Sequence, residues 1–179
     1  MILGPKQLLK LIKEVNLVEN LSERELTNPE GAGFDLRLGA VFKISGKGFL
    51  GVTERQTPES IEVVKYEDGK NNSITFQPGD FYLVQTIESF NMPENLTANF
   101  KPRTTTFRSG LFLRTGNVAP GYKGQVSFGM KNEGDCEVTI EMGARFCHVQ
   151  FEEVKGGGSM YRGQWQGGRV SATKREKQV

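Results

Sequence analysis

Phe34-Asp35-Leu36-Arg37-Leu38-Gly39-Ala40-Val41-Phe42-Lys43-Ile44 is the stretch on which the fold turns. Apolar and polar side chains alternate on both sides of Gly39-Ala40, the pattern of a strand with one buried face. The pattern returns in Phe81-Tyr82-Leu83-Val84-Gln85 and Gln125-Val126-Ser127-Phe128. Between such runs lie breakers, among them Gly31-Ala32-Gly33, Gly46-Lys47-Gly48, Gln77-Pro78-Gly79-Asp80 and Asn132-Glu133-Gly134-Asp135. Their intervals suit hairpins and short loops. The expectation is an all-β domain, a distorted jelly roll or β-barrel, over residues 1–154. Residues 51–73, rich in Glu, Thr, Lys and Asn, are expected as a surface excursion.

One helix stands apart from this pattern. Leu8, Leu9, Leu11, Ile12 and Val15 recur at helical spacing among Lys6, Lys10, Lys13 and Glu14, which predicts an amphipathic helix over residues 5–15. At the other end, Lys155-Gly156-Gly157-Gly158-Ser159 reads as a glycine hinge. Behind it Tyr161, Arg162, Gln164, Trp165 and Arg169 gather in a tail, residues 155–179. Such side chains suit a lid that closes over a ligand better than a disordered terminus.

The chain has 179 residues, long enough for one domain with its own core. A net charge of +2 with 25% charged residues does not describe a coat for nucleic acid. No apolar run approaches the ~20 residues of a membrane span, and the sequence reads as soluble and cytoplasmic. Cys136 and Cys147 have no metal spacing and are expected as free thiols. With His148 as the single histidine they make no recognisable zinc set.

The chemistry concentrates in Pro102-Arg103-Thr104-Thr105-Thr106-Phe107-Arg108-Ser109-Gly110 and in Asn117-Val118-Ala119-Pro120-Gly121-Tyr122-Lys123-Gly124-Gln125. Two guanidinium groups with three hydroxyls between them offer fork-shaped and neutral donors to phosphoryl oxygens. The Pro-Gly-Tyr turn presents an aromatic face. Together they suit a nucleoside triphosphate.

These pieces, with Gly33 to Gly39, Gln77 to Asp80, Met92-Pro93-Glu94-Asn95-Leu96, Gly143-Ala144-Arg145-Phe146 and Tyr161-Arg162-Gly163-Gln164, come in the order seen in the dCTP deaminase and dUTPase superfamily. The chain resembles its deaminase-like, archaeal-type dUTPase branch. The resemblance implies a homotrimer with sites between subunits, dUTP or dCTP as ligand, and Mg²⁺ bound through the triphosphate, with no metal held by protein side chains. It implies phosphate binding by Arg103, Thr104 and Thr105, and places Arg108 near the reacting centre as the catalytic candidate. Asn117 and Val118 would read the pyrimidine through their backbone, Tyr122 would pack on the deoxyribose, and Tyr161, Arg162 and Gln164 would fold over the nucleotide.

Two positions depart from the pattern. Ala119 stands where the family usually has an aspartate for the sugar and the attacking water. Gly129 stands where the deaminases have a glutamate that shuttles protons, and losing such a group costs on the order of 10² to 10⁴ in rate. The Phe128-Gly129-Met130-Lys131-Asn132 run resembles the archaeal-type triphosphatases, which also lack that glutamate. The leading expectation is therefore a dUTP diphosphatase. The competing ones are a dCTP deaminase, a nucleotide-binding regulator without turnover, and a barrel without ligand. Asp35 is expected as a structural carboxylate pairing with a nearby arginine such as Arg37, His148 as a structural histidine without a visible partner, and Trp165 as stacking on a base or packing over a subunit.

Overall fold

Pro5 occupies the first turn of the opening helix, where its fixed φ is already helical and its missing N–H is no loss. In the computed structural model, which describes residues 1–178, this helix α1 spans Pro5–Val15 as expected. It closes on Asn16 in the left-handed conformation, with φ 52° and ψ 45°. Leu8 is fully buried beneath it.

A two-residue strand β1 (Val18–Glu19) and a short helix α2 (Glu23–Thr27) follow. The alternating stretch then forms one strand, β2 (Phe34–Ser45), bulged between Leu38 and Ala40. Next come β3 (Phe49–Leu50), β4 (Glu54–Gln56), β5 (Glu59–Lys65), β6 (Ser73–Phe76), β7 (Phe81–Asn91) and β8 (Leu96–Pro102). A single helical turn, α3 (Thr104–Arg108), leads into β9 (Leu111–Arg114), β10 (Lys123–Asn132), β11 (Val138–Glu141) and β12 (Arg145–Glu153). In the tail a 3₁₀ turn at Gln166–Gly168 precedes β13 (Glu176–Lys177).

The main sheet runs β8-β12-β2-β7-β10-β9, with β1 added on β7 and β5 on β2. A bridge between Ala98 of β8 and Val118, just after β9, draws its two ends together. The result is a nearly closed barrel-like sheet, which leaves little unpaired edge. Inside it, aromatic rings meet edge to face along Phe90–Phe100, Phe100–Phe128 and Phe128–Phe146. Such pairs add about 0.5–1.5 kcal/mol each to the burial of their area.

Residues 51–73 are not a loop standing off this sheet. β5 pairs with β2 from Ala40↔Lys65 to Ser45↔Glu59, and β4 joins β3 and the tail strand β13 in a small sheet of its own. Ile61 and Val63 are half exposed on β5. Arg37 does not pair with Asp35. It turns to fully buried Glu88, which accepts the Arg37 main-chain N–H at 2.9 Å and Nε at 2.7 Å. Burial raises the Glu88 carboxyl above its ordinary value in spite of Arg37. Both cysteines are free, Cys136 exposed and Cys147 buried, and burial pushes the Cys147 thiol up.

Candidate functional site

The threonine run folds as helix α3, an outcome that three β-branched residues do not foretell. Its third hydroxyl is spent on the fold: Thr106 Oγ1 donates to the Phe146 carbonyl at 2.8 Å, and the Arg103 N–H donates to the same carbonyl at 3.0 Å. Those two bonds clamp the helix start onto β12. Thr104, Thr105 and Arg108 are left exposed to solvent.

Beneath α3 lies a charge node. Asp35, 6% exposed, pairs through Oδ2 with Arg103 Nε and Arg145 Nη1, each at 3.0 Å, and through Oδ1 with His148 Nδ1 at 2.9 Å. Its main-chain N–H donates to Glu25, itself fully buried and paired with Arg24. Burial would raise the Asp35 carboxyl. The His148 hydrogen bond and the charges of Arg103, His148 and Arg145 outweigh it and hold Asp35 below its ordinary value. His148 therefore has a partner, contrary to the sequence expectation. The register that pairs Asp35 with His148 across β2 and β12 is the reason, and it is not visible in either strand alone.

The second motif builds a different surface. Gly121 N–H donates to the Met92 carbonyl and Met92 N–H to the Tyr122 carbonyl, fixing the turn on the end of β7. Tyr122 is buried, and its hydroxyl donates to the Gln125 carbonyl. Burial, helped by Tyr161, pushes this phenol up to about 12, too high for a base near neutral pH. Val118 exchanges both main-chain hydrogen bonds with Ala98, at 2.8 and 3.0 Å. Its backbone is thus already engaged, which removes it from the expected base-reading pair. Asn117, with no main-chain partner among the described residues, keeps that possibility.

The tail closes this surface. Tyr161 N–H donates to the Pro120 carbonyl at 2.7 Å, and its ring meets Tyr122 edge to face at 5.4 Å. Gln166 accepts the Lys123 N–H and donates to the Gly121 carbonyl, while Gln85 donates to the Gly168 carbonyl. The crossing is close. A Cβ on Gly124 would stand 2.4 Å from the Gly168 nitrogen, and Gly124 has φ +125°. Gln164 is held by Arg55 and by the Lys177 carbonyl, while Arg162 stays exposed.

Turn and tail together enclose a cavity of about 410 Å³, walled by Phe81, Phe100, Phe128, Tyr122, Tyr161 and Trp165 with Asn117, Val118 and Ala119 at one side and Arg169 in the tail. That is room for a nucleoside. Among the described residues no Asp, Glu, His, Cys or Lys lines it, and neither do Arg103, Thr104, Thr105 or Arg108. Within one subunit the Arg103–Arg108 segment and the aromatic pocket do not meet. At Gly129 a Cβ would lie 3.0 Å from the Phe81 ring, so this ring occupies the approach that a longer side chain would take into the pocket. Sequence reading missed Phe81, Gln85 and Gln166, whose roles arise from the tail crossing the sheet.

No group of three or more His, Cys, Asp or Glu side chains able to hold a metal occurs among the described residues. Asp35 is committed to four cationic or donor partners, Arg103, Arg145, His148 and, at 4.0 Å, Arg24. The residues present do not form a metal site of their own. No helix among the described residues is long and apolar enough to cross a membrane.

Comparison with known proteins agrees with this architecture. A family model described as dCTP deaminase-like matches residues 2–154. The chain is 29% identical over 159 residues to a dUMP-forming dCTP deaminase of Dictyoglomus thermophilum, covering 86% of this chain and 81% of the relative. It is 31% identical over 144 residues to a probable deoxyuridine 5'-triphosphate nucleotidohydrolase of Methanothermobacter thermautotrophicus, covering 79% and 89%. Among solved structures, the 2'-deoxycytidine 5'-triphosphate deaminase of Agrobacterium tumefaciens superposes with a TM-score of 0.64 at 17% identity, over 84% of this chain and 47% of that one. The chain thus spans about half the length of that structure, and the likeness is one of fold. From its barrel and its matched span, the chain belongs to the dCTP deaminase-like family.

Proposed function

We propose that the chain binds a pyrimidine deoxyribonucleoside triphosphate and hydrolyses dUTP to dUMP and pyrophosphate. The observation that carries this reading is the chemistry of the pocket wall. Deamination acts on the base inside the pocket and needs a proton carrier there. The wall offers aromatic rings, Asn117 and Ala119, and at Gly129 the Phe81 ring. Hydrolysis acts on the phosphate chain, outside the aromatic enclosure, where a helix turn carrying Arg103, Thr104, Thr105 and Arg108 suits the work.

Because the grip does not line its own subunit's pocket, the reading takes a homotrimer in which α3 of one subunit faces the pocket of the next. The exposed rings of Phe107 and Phe112 on either side of the α3–β9 turn are candidates for that contact. Mg²⁺ enters as part of the substrate, on the triphosphate. A water oxygen bonds to the α-phosphorus as the bond from that phosphorus to the bridging oxygen breaks; pyrophosphate leaves with that oxygen and its electron pair, and the proton of the water passes to solvent. Arg103 with the Thr104 and Thr105 hydroxyls neutralises the departing charge, Arg108 stands beside them, Tyr122 and Tyr161 hold the sugar, and the tail excludes water.

A second reading, a receptor without turnover, is favoured by the Ala119 methyl in a wall without carboxylates. Pyrophosphate and ammonia release from dUTP and dCTP with Mg²⁺, beside calorimetric binding, separates them. Pyrophosphate from dUTP is the expected result. Binding without release selects the receptor, in which case Ala119→Asp is expected to create turnover. Ammonia from dCTP would overturn the reading of the pocket wall.

A further inference from the structure

His148 has no part in the proposed chemistry, yet it is placed one residue away from it. Its Nδ1 meets Asp35 Oδ1 at 2.9 Å, and the other oxygen of that carboxylate accepts from Arg145 Nη1 and forms an ion pair with Arg103 Nε, at 3.0 Å each. A carboxylate oxygen is only an acceptor, so Nδ1 carries the hydrogen in this contact. The ring also has little freedom. Its Nε2 is packed against Gly33, where a Cβ would stand 2.7 Å away. Asp35 is nearly buried, and without the donor its Oδ1 is an unsatisfied oxygen that turning of the carboxylate would relieve.

Turning Asp35 moves its partner. Among the described residues Asp35 is the one carboxylate paired with Arg103, and the contact is made through Nε. That leaves the terminal nitrogens of the fork as the edge to meet a phosphate bidentately.

We propose that His148 is a positioning residue for Arg103: by donating to Oδ1 it fixes Asp35 so that Oδ2 holds Nε, and the guanidinium fork is presented to the phosphate chain. This rests on the phosphate-binding reading of Arg103 given above. It does not make His148 a general base.

The test is calorimetric binding of Mg²⁺–dUTP and of deoxyuridine to the intact chain and to His148→Phe, His148→Asn and Arg103→Ala. His148→Phe keeps ring volume and removes the donor, while His148→Asn keeps an N–H donor near the position of Nδ1. His148→Phe is expected to weaken dUTP binding about three- to tenfold, the size of one ordinary net hydrogen bond, with deoxyuridine binding unchanged. His148→Asn is expected to recover most of the loss, and His148→Phe to add nothing in the Arg103→Ala background. Equal loss for dUTP and deoxyuridine, or no rescue by His148→Asn, would assign His148 to packing alone and overturn the proposal. If His148→Phe does not fold, failure of His148→Asn to hold dUTP within about threefold of the unsubstituted chain overturns it on the same grounds. Unchanged dUTP binding in Arg103→Ala would instead defeat the phosphate reading itself.

Discussion

The two halves of the site are built from opposite materials. Around Asp35, charged side chains from α2, β2, β12 and the start of α3 are locked together by short contacts, with the carboxylates of Asp35 and Glu25 buried and the arginines half-buried. Around Tyr122, aromatic rings are held by main-chain and glutamine hydrogen bonds between the turn and the tail. The first half holds charge at fixed points; the second offers shape and a dry face. A nucleotide has both kinds of surface, and a single subunit keeps the two apart.

That separation gives the largest expected effect. Arg103→Ala and Tyr122→Ala should each lower kcat/KM for dUTP at least tenfold, and mixing the two variants, unfolded and refolded together, should restore activity. If grip and pocket come from neighbouring subunits, about a quarter of the sites in a random mixture receive both intact halves. No recovery in an assembly shown by light scattering to have exchanged would place both halves in one subunit.

Next in size is the charge node. Asp35→Asn leaves Arg103 and Arg145, 31% and 30% exposed, over a neutral group, and loss of the charged partner from this half-buried set costs about 1–3 kcal/mol. The Asp35 carboxyl is held below its ordinary value in the fold, so it contributes stability above its unfolded value, near 4, and loses it as pH falls through the folded one. The gap in stability between wild type and Asp35→Asn should be full at pH 7 and narrow steadily below about pH 4. Denaturant titrations at a series of pH values measure it. A gap independent of pH would mean that the carboxylate is not charged in the fold.

The aromatic half responds to crowding rather than charge. Gly124→Val places a branched side chain where the Gly168 nitrogen lies, in a conformation that glycine alone adopts readily. The tail must lift off β10, and the dUTP KM should rise about tenfold; the melting temperature should fall as well, because Gly124 lies within β10 opposite buried Phe90 and valine is strained at its positive φ. Protease cleavage after Arg162 or Arg169 should become faster in the same variant. Unchanged cleavage would show that the tail stays seated.

The fold was legible because it rests on local pattern. Period-two runs and glycine breakers marked β2, β7 and β10, and helical spacing marked α1. The site was legible as residue types and much less as contacts. Thr106 looks like Thr104 and Thr105 in sequence, yet it is turned inward to Phe146, a choice made by the helical turn of α3. Val118 was read as a recognition group and proves to be a sheet bridge, because closure of the barrel consumed its backbone. Residues 51–73 read as a surface excursion because Glu, Thr, Lys and Asn are frequent in them, whereas β5 takes its place in the sheet through hydrogen bonds to β2. Strand register and barrel closure decide the last two cases, and neither is encoded in neighbours along the chain.

The smallest expected effect concerns Gly129, and it separates absence of a group from absence of room for one. Gly129→Glu alone must push aside the Phe81 ring, whose atoms begin 3.0 Å from the new Cβ. Phe81 is itself part of the pocket wall, so the substitution narrows the cavity while adding an acid. No ammonia release from dCTP is expected, with dUTP turnover reduced about fivefold, the scale of overpacking near 1 kcal/mol. Phe81→Ala combined with Gly129→Glu clears the approach and brings a carboxylate to the wall. Measurable ammonia from the double variant and none from either single one would identify the ring as the barrier. Ammonia from Gly129→Glu alone would show that Phe81 yields freely, and that glycine at 129 lacks only the acid.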